Sequence, residues 1–206
     1  MRILFQGDSV TDCGRARGSY FDLGDGYPKY TAEALRAILP EAELEFVNRG
    51  VSGDRTKDVL ARAERDIVEV DPDVITILIG VNDTWRKYDS NDPTSPEQFA
   101  ANYEAILKII KEKTHAKIIL VECFLVYGMG RDSYREDLNA KLDETRKLAV
   151  KYADGFVPLD GLIASAIVGA SSISPEMISE DGVHPAEDGK KLIASILAPE
   201  IARIIG

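Results

Sequence analysis

Ile3-Leu4-Phe5-Gln6-Gly7-Asp8-Ser9-Val10-Thr11-Asp12 opens the chain with an apolar run that ends in a glycine, a carboxylate and a hydroxyl. Three consecutive apolar residues followed by glycine read as a short buried strand and its exit turn. A serine just past such a strand is a candidate nucleophile. Alone it is a turn residue, so its meaning depends on whether the chain supplies a base. One stands at the far end, in Asp181-Gly182-Val183-His184-Pro185.

Four further runs, 44–47, 74–79, 118–121 and 156–159, also read as strands. Those at 74–79 and 118–121 are apolar without clear alternation, as in a parallel sheet covered on both faces. Helical spacing fills the intervals. It joins Tyr27, Tyr30, Ala34, Leu35 and Ile38, then Val59, Ala63, Ile67 and Val70. Ser95-Pro96-Glu97-Gln98 is a helix start, with serine as N-cap, proline at the first helical position and glutamine three residues after the cap. Helical spacing returns at 134–152 and again from Ala186 to Ile205, where Pro199 predicts a kink or break near Ala198. The small-residue segment 165–179 predicts a loop with at most a short helix. The segment 12–26, with four glycines, predicts a long loop beside Ser9. Strands alternating with helices predict an α/β fold on a parallel sheet, in a single domain over residues 1–206.

Length and charge narrow the function. A chain of 206 residues buries enough surface to need no staples. Its two cysteines, Cys13 and Cys123, are too few for a disulfide framework and predict free thiols in a cytoplasmic setting. A net charge of −10 repels phosphate backbones and anionic lipid, so neither nucleic acid nor membrane is expected as a partner. No apolar run is long enough to span a bilayer. Two histidines far apart offer no metal-ligand spacing, so no metal and no cofactor are expected.

In open parallel sheets, ligands bind beyond the carboxyl ends of the strands. Ser9 follows the first strand, Gly53 in Gly50-Val51-Ser52-Gly53-Asp54 the second, Asn82 in Gly80-Val81-Asn82-Asp83 the third, and Asp181 and His184 come after the fifth. All fall on one edge. Acyl transfer needs a hydroxyl, a base to take its proton, an acceptor to orient that base, and donors for the oxyanion. Ser9, His184 and Asp181 can fill the first three roles. The Ser9 and Gly53 N–H groups and the Asn82 amide can fill the last. Each block has a plainer reading. Gly-Asp-Ser is a common turn, Asp181 can cap the last helix, Asp54 can be an N-cap, and Gly80-Val81-Asn82-Asp83 can be a loop. His115 is the better case for a structural histidine.

Together the four blocks resemble the SGNH (GDSL-type) esterase and lipase superfamily, and the match spans nearly the whole chain. The resemblance implies a three-layer α/β/α sandwich of flavodoxin-like strand order 2-1-3-4-5. By position it implies Ser9 as nucleophile, His184 as base, Asp181 as its orienting acid, and Ser9, Gly53 and Asn82 as the oxyanion hole. Two longer stretches, from Ser9 to Arg15 and from Asn82 to Asp89, are similar to acetylxylan esterases and related carbohydrate deacetylases. That implies a serine esterase acting on acetylated sugars such as xylo-oligosaccharides. Trp85, Arg86 and Tyr88 are then candidates for the substrate rim, against the reading that Trp85 packs under its loop or at a subunit contact. Apolar helix faces leave room for self-association into a homo-oligomer. A lysophospholipase or thioesterase would use the same triad. A non-catalytic anion-binding protein is disfavoured by Asp8 and Asp12, which repel phosphate. An α/β-hydrolase elbow is excluded because no Gly-x-Ser-x-Gly occurs.

Overall fold

The computed structural model describes residues 1–206. Five parallel strands form one sheet in the order 2-1-3-4-5: β1 (Arg2–Gly7), β2 (Glu45–Asn48), β3 (Val74–Leu78), β4 (Lys117–Val121) and β5 (Gly155–Val157). The register pairs Ile3 with Phe46 on one side and with Val74 on the other. Ile75 then faces Ile118, and Leu120 faces Phe156.

The alternation hidden in the apolar runs divides the interior in two. Ile3, Phe5, Val74, Leu78, Ile119 and Val121 point to one face. There they meet Tyr27 and Leu35 of α2 (Tyr27–Ile38) and Ile193, Leu197 and Ile201 of α9 (Glu187–Ile205). Leu4, Ile75, Ile77, Ile118 and Leu120 point to the other. They meet Val59 of α3 (Thr56–Ala61) and Phe99, Tyr103, Ile106 and Ile110 of α5 (Pro96–Lys113). Helix α6 (Arg135–Tyr152) completes that layer with Leu148 and Ala149. The result is the three-layer α/β/α sandwich.

The helix start at Ser95 forms as its sequence predicts: the Ser95 hydroxyl accepts the Gln98 N–H at 3.2 Å. Three readings need correction. Helix α9 continues through Pro199 and does not break near Ala198. Proline removes one N–H, but Leu197, Ala198 and Ile201 are buried against the core around it, and that packing outweighs one lost bond. Helix α7 (Leu159–Gly169) takes Leu159 from the fifth strand and reaches into the segment read as a loop; a short α8 (Pro175–Ile178) follows. Asp54 is not an N-cap. Arg55 holds that position, and its N–H donates to Asp58 at 2.9 Å. A π-helical turn over Glu64–Val68 also interrupts the helical run after α3. No helix is long and apolar enough to cross a membrane.

Candidate active site

Ser9 occupies the first position of α1 (Ser9–Asp12), one turn that starts as β1 ends. Asp8 caps it by accepting the Val10 N–H at 3.0 Å. A first-turn N–H has no intrahelical acceptor, so the Ser9 N–H is free to meet an oxygen outside the helix. Gly7 makes the turn possible. A Cβ there would lie 2.3 Å from both the Leu78 carbonyl and the Thr11 hydroxyl, so β1 and β3 approach too closely for any side chain. Asn48, buried at the end of β2, clamps the neighbourhood. Its amide donates to the Thr11 and Leu23 carbonyls at 2.6 and 2.8 Å, and its oxygen accepts the Gly50 N–H at 2.8 Å. The loop after Asp12 and the loop after β2 are thereby fixed around Ser9.

The far end of the chain arrives as a tight turn. The Ser179 hydroxyl accepts the Gly182 N–H and donates to the His184 carbonyl, both at 2.9 Å. The Val126 N–H, past the end of β4, donates to the Gly182 carbonyl at 2.8 Å. This anchors the turn at the carboxyl edge of the sheet. His184 Nε2 then lies 3.0 Å from Ser9 Oγ, across 175 positions of sequence. His184 Nδ1 lies 2.9 Å from Asp181 Oδ2. Asp181 Oδ1 accepts the Val183 and His184 N–H groups at 3.0 and 2.8 Å. Burial alone would raise the Asp181 carboxyl. The two backbone donors and the imidazole outweigh it, and the group sits below its ordinary value. An ionised carboxylate can only accept. Nδ1 therefore carries the ring proton, and Nε2 is left to accept the serine hydroxyl.

Asn82 lies in the first turn of α4 (Val81–Asp89), not in a loop. Asp83 beside it accepts both the N–H and the hydroxyl of Thr56, at 3.0 and 2.8 Å, which ties α4 to α3. That brings the Asn82 amide to the Asp54 carbonyl at 3.0 Å, next to Gly53. Gly53 has φ +88, open space where a Cβ would stand, and an N–H with no acceptor in the protein. Left-handed backbone of this kind favours glycine.

The three rim candidates separate. Trp85 is half-buried, its ring 5.8 Å from the His184 ring and edge-on to Tyr134 at 6.1 Å, so it both packs and flanks the site. Arg86 pairs with Asp89 and touches the Asn82 oxygen at 3.4 Å. Tyr88 stacks on Tyr134 at 4.1 Å and donates to the Ser133 carbonyl at 2.9 Å, turned toward the segment before α6. One residue was missed in the sequence. Arg131 lies 3.2 Å from Asp181 Oδ2, donates also to the Asp181 carbonyl, and covers the Trp85 ring at 4.2 Å. It sits in the loop after β4, between Gly130 and α6, at the sheet edge that holds Ser9, but nothing in its local sequence sets it apart from the rest of that loop. Cys13 is a free thiol pushed up to about 11 by burial, with Asp12, Asp25 and Glu180 raising it further against the opposing pull of Lys190.

Ser9 and His184 open into a recess of about 380 Å³ with Ser52, Asp25, Glu180 and Lys190 on its walls. An apolar groove of about 150 Å³, lined by Leu125, Val126, Ile163 and Ile167 among others, does not include Ser9.

Known proteins resemble this chain in sequence and fold. Residues 5–192 match the GDSL-like lipase/acylhydrolase family. An acetylxylan esterase of Geobacillus stearothermophilus is 33% identical over 97% of this chain and 93% of its own. The crystal structure of Axe2, an acetylxylan esterase of that organism, superposes with a TM-score of 0.84 over 100% of this chain and 94% of its own, at 31% identity. A thioesterase 1/protease 1/lysophospholipase L1 of Escherichia coli is more distant, at 25% identity over 89% and 81%. With the match running from β1 into the last helix, the chain belongs to the GDSL-like lipase/acylhydrolase family and is a carboxylic ester hydrolase.

Proposed function

We propose that the protein removes acetyl or similarly short acyl groups from carbohydrate esters by a Ser-His-Asp mechanism. The observation that carries this reading is the unbroken hydrogen-bond line from Ser9 Oγ through the His184 ring to Asp181, with 3.0 and 2.9 Å links. Ser9 Oγ attacks the acyl carbon as His184 Nε2 takes its proton. The carbonyl oxygen becomes an anion and is met by the Ser9 and Gly53 N–H groups and the Asn82 amide. Collapse expels the sugar hydroxyl, protonated by His184, and leaves an acetyl ester on Ser9. Water, deprotonated by the same ring, then releases acetate.

Short acyl chains are favoured by the polar walls around Ser9 and by the apolar groove lying apart from it. The likeness to acetylxylan esterases supports a sugar as the alcohol. Two free cysteines support a reducing, cytoplasmic setting. The test is a panel of acetylated xylo-oligosaccharides and nitrophenyl esters from acetate to decanoate, with Ser9→Ala as control. Turnover should peak at acetate and vanish in the control. Preference for chains beyond about eight carbons, which would exceed the reach of such a recess, would instead favour a lysophospholipase or thioesterase.

A further inference from the structure

The largest recess in the molecule is not the one that holds Ser9. It measures about 510 Å³, enough for a monosaccharide-sized molecule. The loop 50–54 divides the two: Ser52 faces the Ser9 recess, while Val51 and Asp54 face this one. On a chain of net charge −10, five arginines converge here: Arg15, Arg17, Arg49, Arg62 and Arg65.

The plain reading is an ion-pair network that stiffens the loop, and it accounts for three of the five. Arg62 holds Asp54 through Nε at 2.7 Å and also pairs with Asp66. Arg65 grips Asp66 through two N–H groups at 2.7 and 2.9 Å. Arg17 pairs with Asp12 at 2.6 Å. The carboxylates are thereby used up.

Arg15 and Arg49 remain. Arg15 is 8% exposed. Its Nε donates to the Gly50 carbonyl at 3.0 Å, but Nη1 is buried with no acceptor. The Arg49 guanidinium carbon stands over the Tyr20 ring, 4.5 Å from its centroid; its Nε is likewise buried without a partner. Burial depresses the Arg15 guanidinium, and the Arg49 and Arg17 charges press it further against the pull of Asp12. Desolvated, like-charged and unpaired donors are costly unless something anionic joins them. Guanidinium forks match the paired oxygens of a carboxylate or phosphate.

We propose that this recess is a binding site for a small molecule of monosaccharide size bearing an oxyanion, either a carboxylate or a phosphate, held by Arg15 and Arg49, with anionic sugars as its probes. The site is separate from Ser9 and independent of how the ester chemistry proceeds.

Calorimetric titration of the full chain with glucuronate, with glucose 6-phosphate and with neutral glucose, at constant ionic strength, tests this. At least one anionic sugar should bind saturably and glucose should not; which of the two binds identifies the oxyanion. Arg49→Gln should weaken binding by about 10-fold or more, the loss of one charge-assisted contact, while leaving hydrolysis of nitrophenyl acetate unchanged. Arg15→Gln should abolish it. If that buried substitution prevents folding, Arg49→Gln decides. Ser9→Ala should bind as the wild type does. Absence of saturable binding by either anionic sugar, unchanged binding in Arg49→Gln, or loss of binding in Ser9→Ala would overturn the proposal.

Discussion

Replacing Asp181 by Asn exchanges an oxygen for an amine and leaves shape nearly intact, so its effect isolates the orientation of the His184 ring. The new side chain has two ways to sit. With its oxygen in place of Oδ1, it keeps the Val183 and His184 N–H groups, now at 3.0 and 2.8 Å. Its NH₂ then faces Nδ1 and Arg131. Reversed, the NH₂ meets two backbone donors, which leaves two N–H groups unsatisfied at roughly 1–3 kcal/mol each. The first orientation wins. An NH₂ can only donate, so Nδ1 must become the acceptor and the ring proton moves to Nε2. That proton then points at Ser9 Oγ, and the base of the proposed mechanism is lost. Asp181 Oδ2 is the only hydrogen-bond partner of Nδ1, so no backbone carbonyl preserves the working tautomer. The cost should be on the order of 10⁴ in kcat, about 5.5 kcal/mol, as for the same exchange in serine proteases. Ser9→Ala should cost more, on the order of 10⁶. Steady-state hydrolysis of nitrophenyl acetate, with circular dichroism to verify folding, measures both. An Asp181→Asn enzyme within about 10-fold of wild type would refute the tautomer argument.

In the proposed mechanism Asn82→Ala removes an oxyanion donor and should lower kcat by roughly 10²–10³ with little change in KM; an equal rise in KM alone would mean that Asn82 serves ground-state binding. Arg131→Gln removes the cation beside Asp181 Oδ2 and over Trp85, and should lower kcat/KM on the order of 10-fold, the loss of one charged hydrogen bond; unchanged kinetics would make Arg131 a packing residue only. Asp8 is fully buried, and burial raises its carboxyl to about 7, with one oxygen unpartnered. Its folded value lies above the unfolded one, so the native state holds the proton more tightly, and wild-type stability is lost as pH rises from about 4 to about 7. Asp8→Asn lacks that titration. Urea unfolding at several pH values should show the variant gaining on wild type across this window, by on the order of 4 kcal/mol in all, and a difference that stays flat with pH would contradict the assignment.

What could be read ahead of the structure divides along a physical line. Signals carried by neighbours in sequence were legible. The strands are apolar because helices cover both faces, and Ser95 caps because Gln98 stands three residues on. Ser9, Gly53, Asn82 and His184 lie on one edge because every parallel strand exposes the same end there. Signals that exist only after folding were not. Pro199 should break a helix by its own chemistry, and only the burial of Leu197, Ala198 and Ile201 around it explains why the helix runs on. Leu159 is as apolar as a strand residue, but β5 sits at the sheet edge and pairs through three residues, after which the chain turns into α7. Arg131 acquires its role from Asp181, fifty positions away, and from the Trp85 face. The five arginines of the second recess are spread from position 15 to position 65, with no charge run to mark them. An acidic composition argued against anionic partners as an average over the whole surface, and an average cannot see one recess where the sign is reversed.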